Sequence, residues 1–178
     1  MHYLHAHCDF DTICVVLSPQ NPLKEKKLLL DEEKRCEMVK AWVDTIPFAQ
    51  CSTIEFDMPR PSYTYLTLRR FRELQPEVDF SLVMGTDSLV RFHLWRCYEE
   101  ILRYHPVYVY PREGYPFSPE SAPVLWSHPE ADIRLVSAPL YPYSSTDVRR
   151  MLAESGCADE ALPTVVAAFI RTHGLYVH

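Results

Sequence analysis

The segment from Tyr143 to Arg149 holds the residue types best suited to bind a phosphate group. Three adjacent hydroxyl residues, Ser144, Ser145 and Thr146, lie at the start of a predicted helix. There, free backbone N–H groups and the positive end of the helix dipole favour an anion. Arg149 follows about one turn later, and its planar guanidinium can donate two hydrogen bonds to a pair of phosphate oxygens. The alternative is a well-capped helix with a surface arginine, because serine is a common helix cap.

Four further residues could contact a nucleotide. Gly85 follows the third predicted strand and would let a ligand approach the backbone closely. Asp87 could accept hydrogen bonds from a ribose, or it could serve only as a helix cap. Trp95 offers a flat face on which a ring could stack, although a tryptophan more often belongs to the core. Lys24 could reach a phosphate, but residues 24–27 form a charged run that is usually a solvated surface.

The composition narrows the classes of function. A chain of 178 residues is predicted to form one domain. Its net charge of −6 argues against a general nucleic-acid binder, and no apolar run approaches the roughly 20 residues of a membrane span. The four glycines provide no glycine-rich phosphate loop. Six cysteines without a C-x-x-C pair indicate reduced, mostly buried thiols in a cytoplasmic protein.

The sequence alternates strand-like and helix-like patterns. Short apolar, β-branched runs predict strands at 12–18, 52–56, 79–84, 107–110 and 133–136. Helical periodicity predicts helices at 31–46, 63–74, 89–102 with a break near His93, 145–154 and 162–172. Prolines indicate a long surface loop over 111–129. Ser62 is expected to cap the helix over 63–74, with Leu66, Phe71 and Leu74 facing the core.

This alternation predicts an α/β fold, in which a mostly parallel sheet is covered by helices on both faces. Such folds bind ligands at the carboxyl ends of their strands. The segments that follow the predicted strands, 18–24, 57–64, 85–88, 111–114 and 138–149, are therefore expected at that end of the sheet.

The candidate segments, taken in order, resemble those of bacterial nicotinate-nucleotide adenylyltransferases. The resemblance runs from about Leu4 to the C-terminus, and its most specific parts are P-S-Y-T-x-x-T-L and S-S-T-x-x-R. The matching segments are NPLK at 21–24, RPSYTYLTL at 60–68, MGTDSL at 84–89, Trp95, YSSTDVR at 143–149, and the C-terminal segments at 162–163 and 174–176.

The resemblance implies transfer of the adenylyl group of ATP to nicotinate mononucleotide, giving deamido-NAD and pyrophosphate, with Mg²⁺ required alongside ATP. It also implies a Rossmann-like nucleotidyltransferase fold. The spacing of the cysteines predicts no metal site in the protein itself. The residues implied to hold ATP are Gly85, Asp87, Ser144, Ser145, Thr146 and Arg149. Those implied to hold nicotinate mononucleotide are Asn21, Tyr63, Thr64 and Trp95, with Thr64 and the backbone beside Tyr63 at the nicotinate carboxylate. Those implied to assist catalysis are Arg149 and Lys24. A homo-oligomer stays open.

The sequence departs from the family at its beginning. The family opens with a strand and a G-x-F-x-P-x-H-x-G-H loop, whose two histidines contact the phosphates of ATP; this chain has neither. His5 and His7 do not replace them, since their segment lacks the glycine and the proline and is expected at the end of a first helix. The absent strand would be central in the sheet, so unpaired strand edges are expected.

Three explanations would account for this departure: a start codon assigned too late, a true fragment, or a domain completed by another chain. We favour the first. Two other functions stay open, a non-catalytic nucleotide-binding remnant and a sister adenylyltransferase that uses another acceptor such as phosphopantetheine. An in-frame G-x-F-x-P-x-H-x-G-H motif upstream of Met1 would support the enzyme, and a stop codon there would favour the remnant.

Overall fold

The computed structural model describes residues 1–19 and 32–176, and within it the chain forms two compact units. One unit comprises Met1–Ser62 and Pro142–His178, and the other comprises Tyr63–Tyr141. Each unit contains a parallel sheet packed with helices.

The first unit is built on two parallel strands, β1 (Ile13–Val16) and β2 (Ala49–Ser52). Its helices are α1 (His2–His7), α2 (Glu32–Val43), α7 (Ser145–Ser155) and α8 (Thr164–His173). Helices α2, α7 and α8 share a small apolar core. The members of this core that are buried or packed on it include Met38, Trp42, Leu152, Ala158, Val166 and Ile170.

The second unit is built on three parallel strands in the order β3 (Leu82–Gly85), β4 (Val107–Tyr110) and β5 (Ile133–Leu135). Its helices are α3 (Thr64–Leu74), α4 (Thr86–Leu89), α5 (Tyr98–Tyr104) and α6 (Val124–Ser127), with a 3₁₀ turn at Phe92–Leu94. The central strand β4 is the most buried, as expected for a strand covered on both faces. The fully buried side chains of this core include Leu89, Phe92, Ile101, Val107, Val109 and Val124.

The α/β architecture with parallel strands is confirmed. The predicted strands at 107–110 and 133–136 match β4 and β5, and the predicted helices at 145–154 and 162–172 match α7 and α8. Helices α7 and α8 end at Gly156 and Gly174, which adopt the left-handed conformation (φ 69° and 57°) that favours glycine. The predicted helix over 89–102 is broken near His93 by the 3₁₀ turn, and His5 and His7 lie in α1 as expected.

The predicted unpaired strand edges are present in the structure, but the predicted strand at 52–56 is not. Within the described residues, β1 bonds only to β2 and β3 bonds only to β4, so each has the unpaired edge that the sequence predicted. The predicted strand at 52–56 is wrong, because the chain leaves the sheet at Ser52 and turns into a 3₁₀ helix at Ile54–Asp57. The turn carries Glu55 into the interior, where its carboxylate accepts a 2.5 Å hydrogen bond from the Ser18 hydroxyl.

The predicted cap and buried face of α3 are also wrong in part. Tyr63 occupies the cap position without a side-chain hydrogen bond, while the Ser62 hydroxyl is buried and has no partner within the described residues. Phe71 is buried as expected, but Leu74 is 53% exposed. Leu74 is the last residue of α3, and the buried residues of the helix, Thr67, Leu68 and Phe71, all lie before it.

The thiols are less buried than the sequence predicted. All six cysteines are free; four are half-buried, while Cys97 and Cys157 are exposed. Burial is the largest cause that raises the pKa of Cys14 and of Cys51 above the ordinary value. Among the helices of the described residues, none is long and apolar enough to cross a bilayer.

Candidate active site

The start of α7 is fixed by a reciprocal cap between Ser144 and Asp147. The Ser144 hydroxyl accepts a hydrogen bond from the backbone N–H of Asp147 at 3.1 Å, and the Asp147 carboxylate accepts one from the backbone N–H of Ser144 at 2.9 Å. The Ser144 hydroxyl also donates to the same carboxylate at 2.6 Å. Hydrogen bonds from the side chain and then the backbone of Ser144 lower the pKa of Asp147. Ser144 is therefore engaged in the capping box that begins the helix.

The other three predicted phosphate-binding residues of this segment have side chains that are free to bind a ligand. Ser145, Thr146 and Arg149 are exposed, and among the described residues none of their side chains has a hydrogen-bond or ion-pair partner. The neighbouring Arg150 instead pairs with Asp147 at 3.2 Å. As the first two residues of an α-helix, Ser145 and Thr146 have backbone N–H groups without intrahelical partners. Two hydroxyls, two backbone donors and one guanidinium are thus available for an anion at the start of α7.

Gly85 is the last residue of β3 and the cap residue of the short helix α4, and a side chain at this position would meet two neighbours. A Cβ atom there would overlap the Asp87 Oδ1 atom and would lie 2.9 Å from the Arg112 Cγ atom. The backbone angles of Gly85 (φ −84°, ψ 161°) are open to any residue. Glycine is therefore needed here for close approach, and the atoms that approach it are protein side chains.

Arg112 is a site residue to which the sequence assigned no role of its own. Its Nε atom lies 3.8 Å from the Asp87 Oδ1 atom, and its backbone N–H donates to the Thr86 hydroxyl at 2.9 Å. Gly85 and Tyr110 are paired across β3 and β4, so the residues that follow the two strands meet at one edge of the sheet. A signal existed in the sequence, because Arg112 comes two residues after the correctly predicted strand β4.

Tyr63, Thr64 and Trp95 lie in the same unit as Gly85 and Asp87. Tyr63 is the cap residue of α3 and Thr64 is its first residue, and no side chain caps this helix. Trp95 is half-buried, with its ring edge-on to Phe92 at 5.3 Å between centroids, and it packs against the core of the unit. The residue after Trp95, Arg96, places its guanidinium carbon 5.0 Å from the Tyr63 ring centroid.

The predicted site residues are therefore distributed over both units. Gly85, Asp87, Tyr63, Thr64 and Trp95 belong to the unit of residues 63–141, and the four residues of α7 and its cap belong to the other unit. Asn21 and Lys24 lie outside the described residues. Over residues 1–19 and 32–176, no group of three or more His, Cys, Asp or Glu side chains could hold a metal ion.

The strands of both sheets are parallel, a strand-to-helix turn lies at Asp87, and the start of α7 has donors available for an anion. These features define an α/β nucleotide-binding protein. A family model described as cytidylyltransferase-like matches residues 3–151. The chain is 39% identical to a protein of Flavobacterium johnsoniae named "Probable nicotinate-nucleotide adenylyltransferase", over 98% of this chain and 88% of that relative. A relative of the same name from Christiangramia forsetii is also 39% identical, over 98% and 88%. The chain belongs to the nicotinate-nucleotide adenylyltransferase family of cytidylyltransferase-like proteins.

Solved structures agree with the fold. A Plasmodium falciparum nicotinic acid mononucleotide adenylyltransferase complexed with NaAD superimposes with a TM-score of 0.75, over 98% of this chain and 87% of that one. The same enzyme complexed with APC superimposes with a TM-score of 0.72. Each is only 16% identical to this chain, so these likenesses show the nucleotidyltransferase fold alone.

Proposed function

We propose that this chain transfers the adenylyl group of ATP to nicotinate mononucleotide and releases deamido-NAD and pyrophosphate, a step of NAD biosynthesis. The observation that carries the proposal is the start of α7, where the side-chain donors of Ser145, Thr146 and Arg149 have no partner among the described residues. The chain that carries them belongs to this family. We also infer that residues 1–178 act as one nucleotidyltransferase-like domain, because the family model spans 3–151 and so includes most of both units.

In this proposal, α7 binds the phosphates of ATP. Ser145 and Thr146 donate hydroxyl and backbone hydrogen bonds, and Arg149 contributes a charge-assisted pair. Ser144 contributes indirectly, since its hydrogen bonds to Asp147 fix the helix start. The result is a set of donors that is already in place before a phosphate binds.

The turn after β3 would hold the nucleoside part of a substrate. Asp87 is an acceptor for ribose hydroxyls, and the Arg112 side chain 3.8 Å away limits where its carboxylate can lie. The absence of a Cβ atom at Gly85 leaves room for that carboxylate. Tyr63, Thr64 and Trp95 would hold nicotinate mononucleotide, with the exposed part of the Trp95 ring available for stacking on the pyridine.

The reaction is a displacement at the α-phosphorus of ATP. A phosphate oxygen of the mononucleotide forms the new P–O bond, the bond to the β-phosphate oxygen breaks, and pyrophosphate departs with its electron pair. Positioning of the two anionic substrates and neutralisation of their charge supply the catalysis, without a nucleophile from the protein. We infer that Arg149, and Lys24 outside the described residues, assist by balancing charge, and that Asn21 contacts the mononucleotide.

We infer that Mg²⁺ enters with ATP as part of the substrate and neutralises phosphate charge. We further infer a cytoplasmic protein, because all six cysteines are free and thiols stay reduced in that compartment. Removal of Mg²⁺ with a chelator is expected to stop pyrophosphate release, and restoring the ion is expected to recover it.

The test compares acceptors. Pyrophosphate release is measured with ATP and nicotinate mononucleotide, its amide form, or phosphopantetheine, each at the same concentration. The proposal predicts release with the acidic mononucleotide at the highest kcat/KM. Highest activity with phosphopantetheine would assign the chain to a different adenylyltransferase, and ATP binding without release from any acceptor would make it a non-catalytic nucleotide binder.

A further inference from the structure

Arg96 is a cation beside the proposed acceptor residues, and the reaction as described above makes no use of it. Its guanidinium carbon lies 5.0 Å from the centroid of the Tyr63 ring. Arg96 is exposed and has no carboxylate partner within the described residues. Hydrogen bonding to the Tyr63 side chain, followed by the nearby phenols of Tyr65 and Tyr63, raises the pKa of Arg96 above its ordinary value. The side chain is therefore fully charged at any physiological pH.

The backbone around Arg96 gives that charge a defined position. Trp95 directly before it is anchored by the edge contact to buried Phe92. Cys97 directly after it has φ 52° and ψ 39°, a left-handed conformation that is uncommon for a residue other than glycine. Such backbone is often retained near functional sites. The turn at Cys97 separates Trp95 and Arg96 from α5, and the Arg96 side chain lies over the ring of the α3 cap residue.

We propose that Arg96 binds the carboxylate of an acidic pyridine ring and thereby makes the acceptor site prefer nicotinate mononucleotide over its amide form. This inference rests on the proposed function. The two acceptors share their ribose and phosphate and differ only in the ring substituent, which is an anion in one and a neutral amide in the other. A guanidinium can donate two parallel hydrogen bonds to a carboxylate, whereas an amide offers it one neutral oxygen.

The experiment compares Arg96→Gln with the unaltered chain for both acceptors. The KM for nicotinate mononucleotide is expected to rise on the order of tenfold, as for loss of a charge-assisted hydrogen bond. The KM values for the amide acceptor and for ATP are expected to change less than about twofold, and kcat likewise, because the lost charge lies on the ring side of the acceptor. Arg96→Lys keeps the charge but loses the planar fork, so it is expected to recover part of the preference.

Arg103→Gln is the matched control. Arg103 is also an exposed arginine of this unit, and it contacts an aromatic ring, that of Tyr104, at 5.5 Å. It lies near the end of α5, before the amino end of β4, whereas ligands of this fold class bind at carboxyl ends. The Arg103→Gln variant loses the same charge as Arg96→Gln. Its preference for the acidic over the amide mononucleotide is expected to match that of the unaltered chain.

Binding of each mononucleotide is measured by calorimetry alongside the kinetics, so that the two proposals can fail separately. Turnover with an unchanged acid preference in Arg96→Gln would overturn the role of Arg96 and leave the proposed function standing. Binding that prefers the acid through Arg96 without turnover would overturn the function and support Arg96. An equal loss for both acceptors, or no binding of either, would overturn the role of Arg96.

Discussion

Replacement of Gly85 by alanine tests whether the turn after β3 is built around the Asp87 carboxylate. The added Cβ atom would overlap Asp87 Oδ1 and would lie 2.9 Å from Arg112 Cγ, about 0.6 Å inside the ~3.5 Å at which carbon atoms normally approach. Such overpacking costs about 1–3 kcal/mol. Alanine recovers about 0.4–1 kcal/mol by restricting the unfolded chain, since the backbone angles allow it. A net destabilisation of about 1–2 kcal/mol is expected.

The double variant Gly85→Ala/Asp87→Ala tests whether the overlap with the Asp87 carboxylate causes the loss of stability in Gly85→Ala. Removal of the carboxylate removes the worst overlap, and the remaining neighbour is a flexible part of the Arg112 side chain. Gly85→Ala is then expected to change stability by less than about 0.5 kcal/mol in the Asp87→Ala background, so the two substitutions are coupled by about 1 kcal/mol or more. If the carboxylate binds substrate, the KM for ATP rises on the order of tenfold in each single variant and rises no further in the double variant.

Unfolding in urea gives the stabilities and pyrophosphate release gives the KM values. Ser88→Ala, in the same short helix, is the control and is expected to leave both unchanged. Strict additivity of the two stability changes would refute the steric argument. A normal KM for ATP in Gly85→Ala, with the expected loss of stability, would refute the role of Asp87 in binding.

Three further predictions concern α7 and the acceptor site. Arg149→Ala is expected to raise the Kd for ATP on the order of tenfold without changing the urea midpoint, and an unchanged Kd would refute its role in binding phosphate. Trp95→Ala is expected to weaken nicotinate mononucleotide more than ATP in calorimetry; equal losses would refute stacking. The pKa of Asp147 is lowered in the folded state, so its contribution to stability is present above its ordinary pKa and is lost as the pH falls through the lowered value. Ser144→Ala removes a helix cap and is expected to lose about 0.5–2 kcal/mol in urea unfolding at neutral pH. Its stability should also decline less steeply in acid, and an acid profile identical to that of the unaltered chain would count against the cap.

Local patterns predicted the elements whose ends are set by local chemistry. Helix α7 could be predicted because its serine cap and its glycine stop act within a few residues of the helix itself. The same holds for α8, which ends at Gly174. The preference of hydroxyl residues for the helix start also identified the anion-binding candidates. It did not show that, of the three hydroxyl residues, Ser144 is the one that bonds to Asp147 within the described residues.

Contacts between distant parts of the chain could not be predicted. The ion pair of Asp87 with Arg112 depends on the register between β3 and β4, and the contact of Tyr63 with Arg96 depends on how α3 meets the segment before α5. The predicted strand at 52–56 failed for a related reason, because pairing with β1 ends at Ser52 and the next residues turn inward. Neither a strand register nor the end of a ladder is encoded by residues adjacent in sequence.

The most direct test of adenylyl transfer to nicotinate mononucleotide is to follow where each phosphate of ATP goes. The chain is incubated with Mg²⁺, nicotinate mononucleotide and ATP that is labelled at either the α- or the γ-phosphorus. Adenylyl transfer predicts that the α-label appears in deamido-NAD and the γ-label in pyrophosphate, in equal amounts. A γ-label carried by the acceptor, or an α-label that never leaves ATP, would contradict the account.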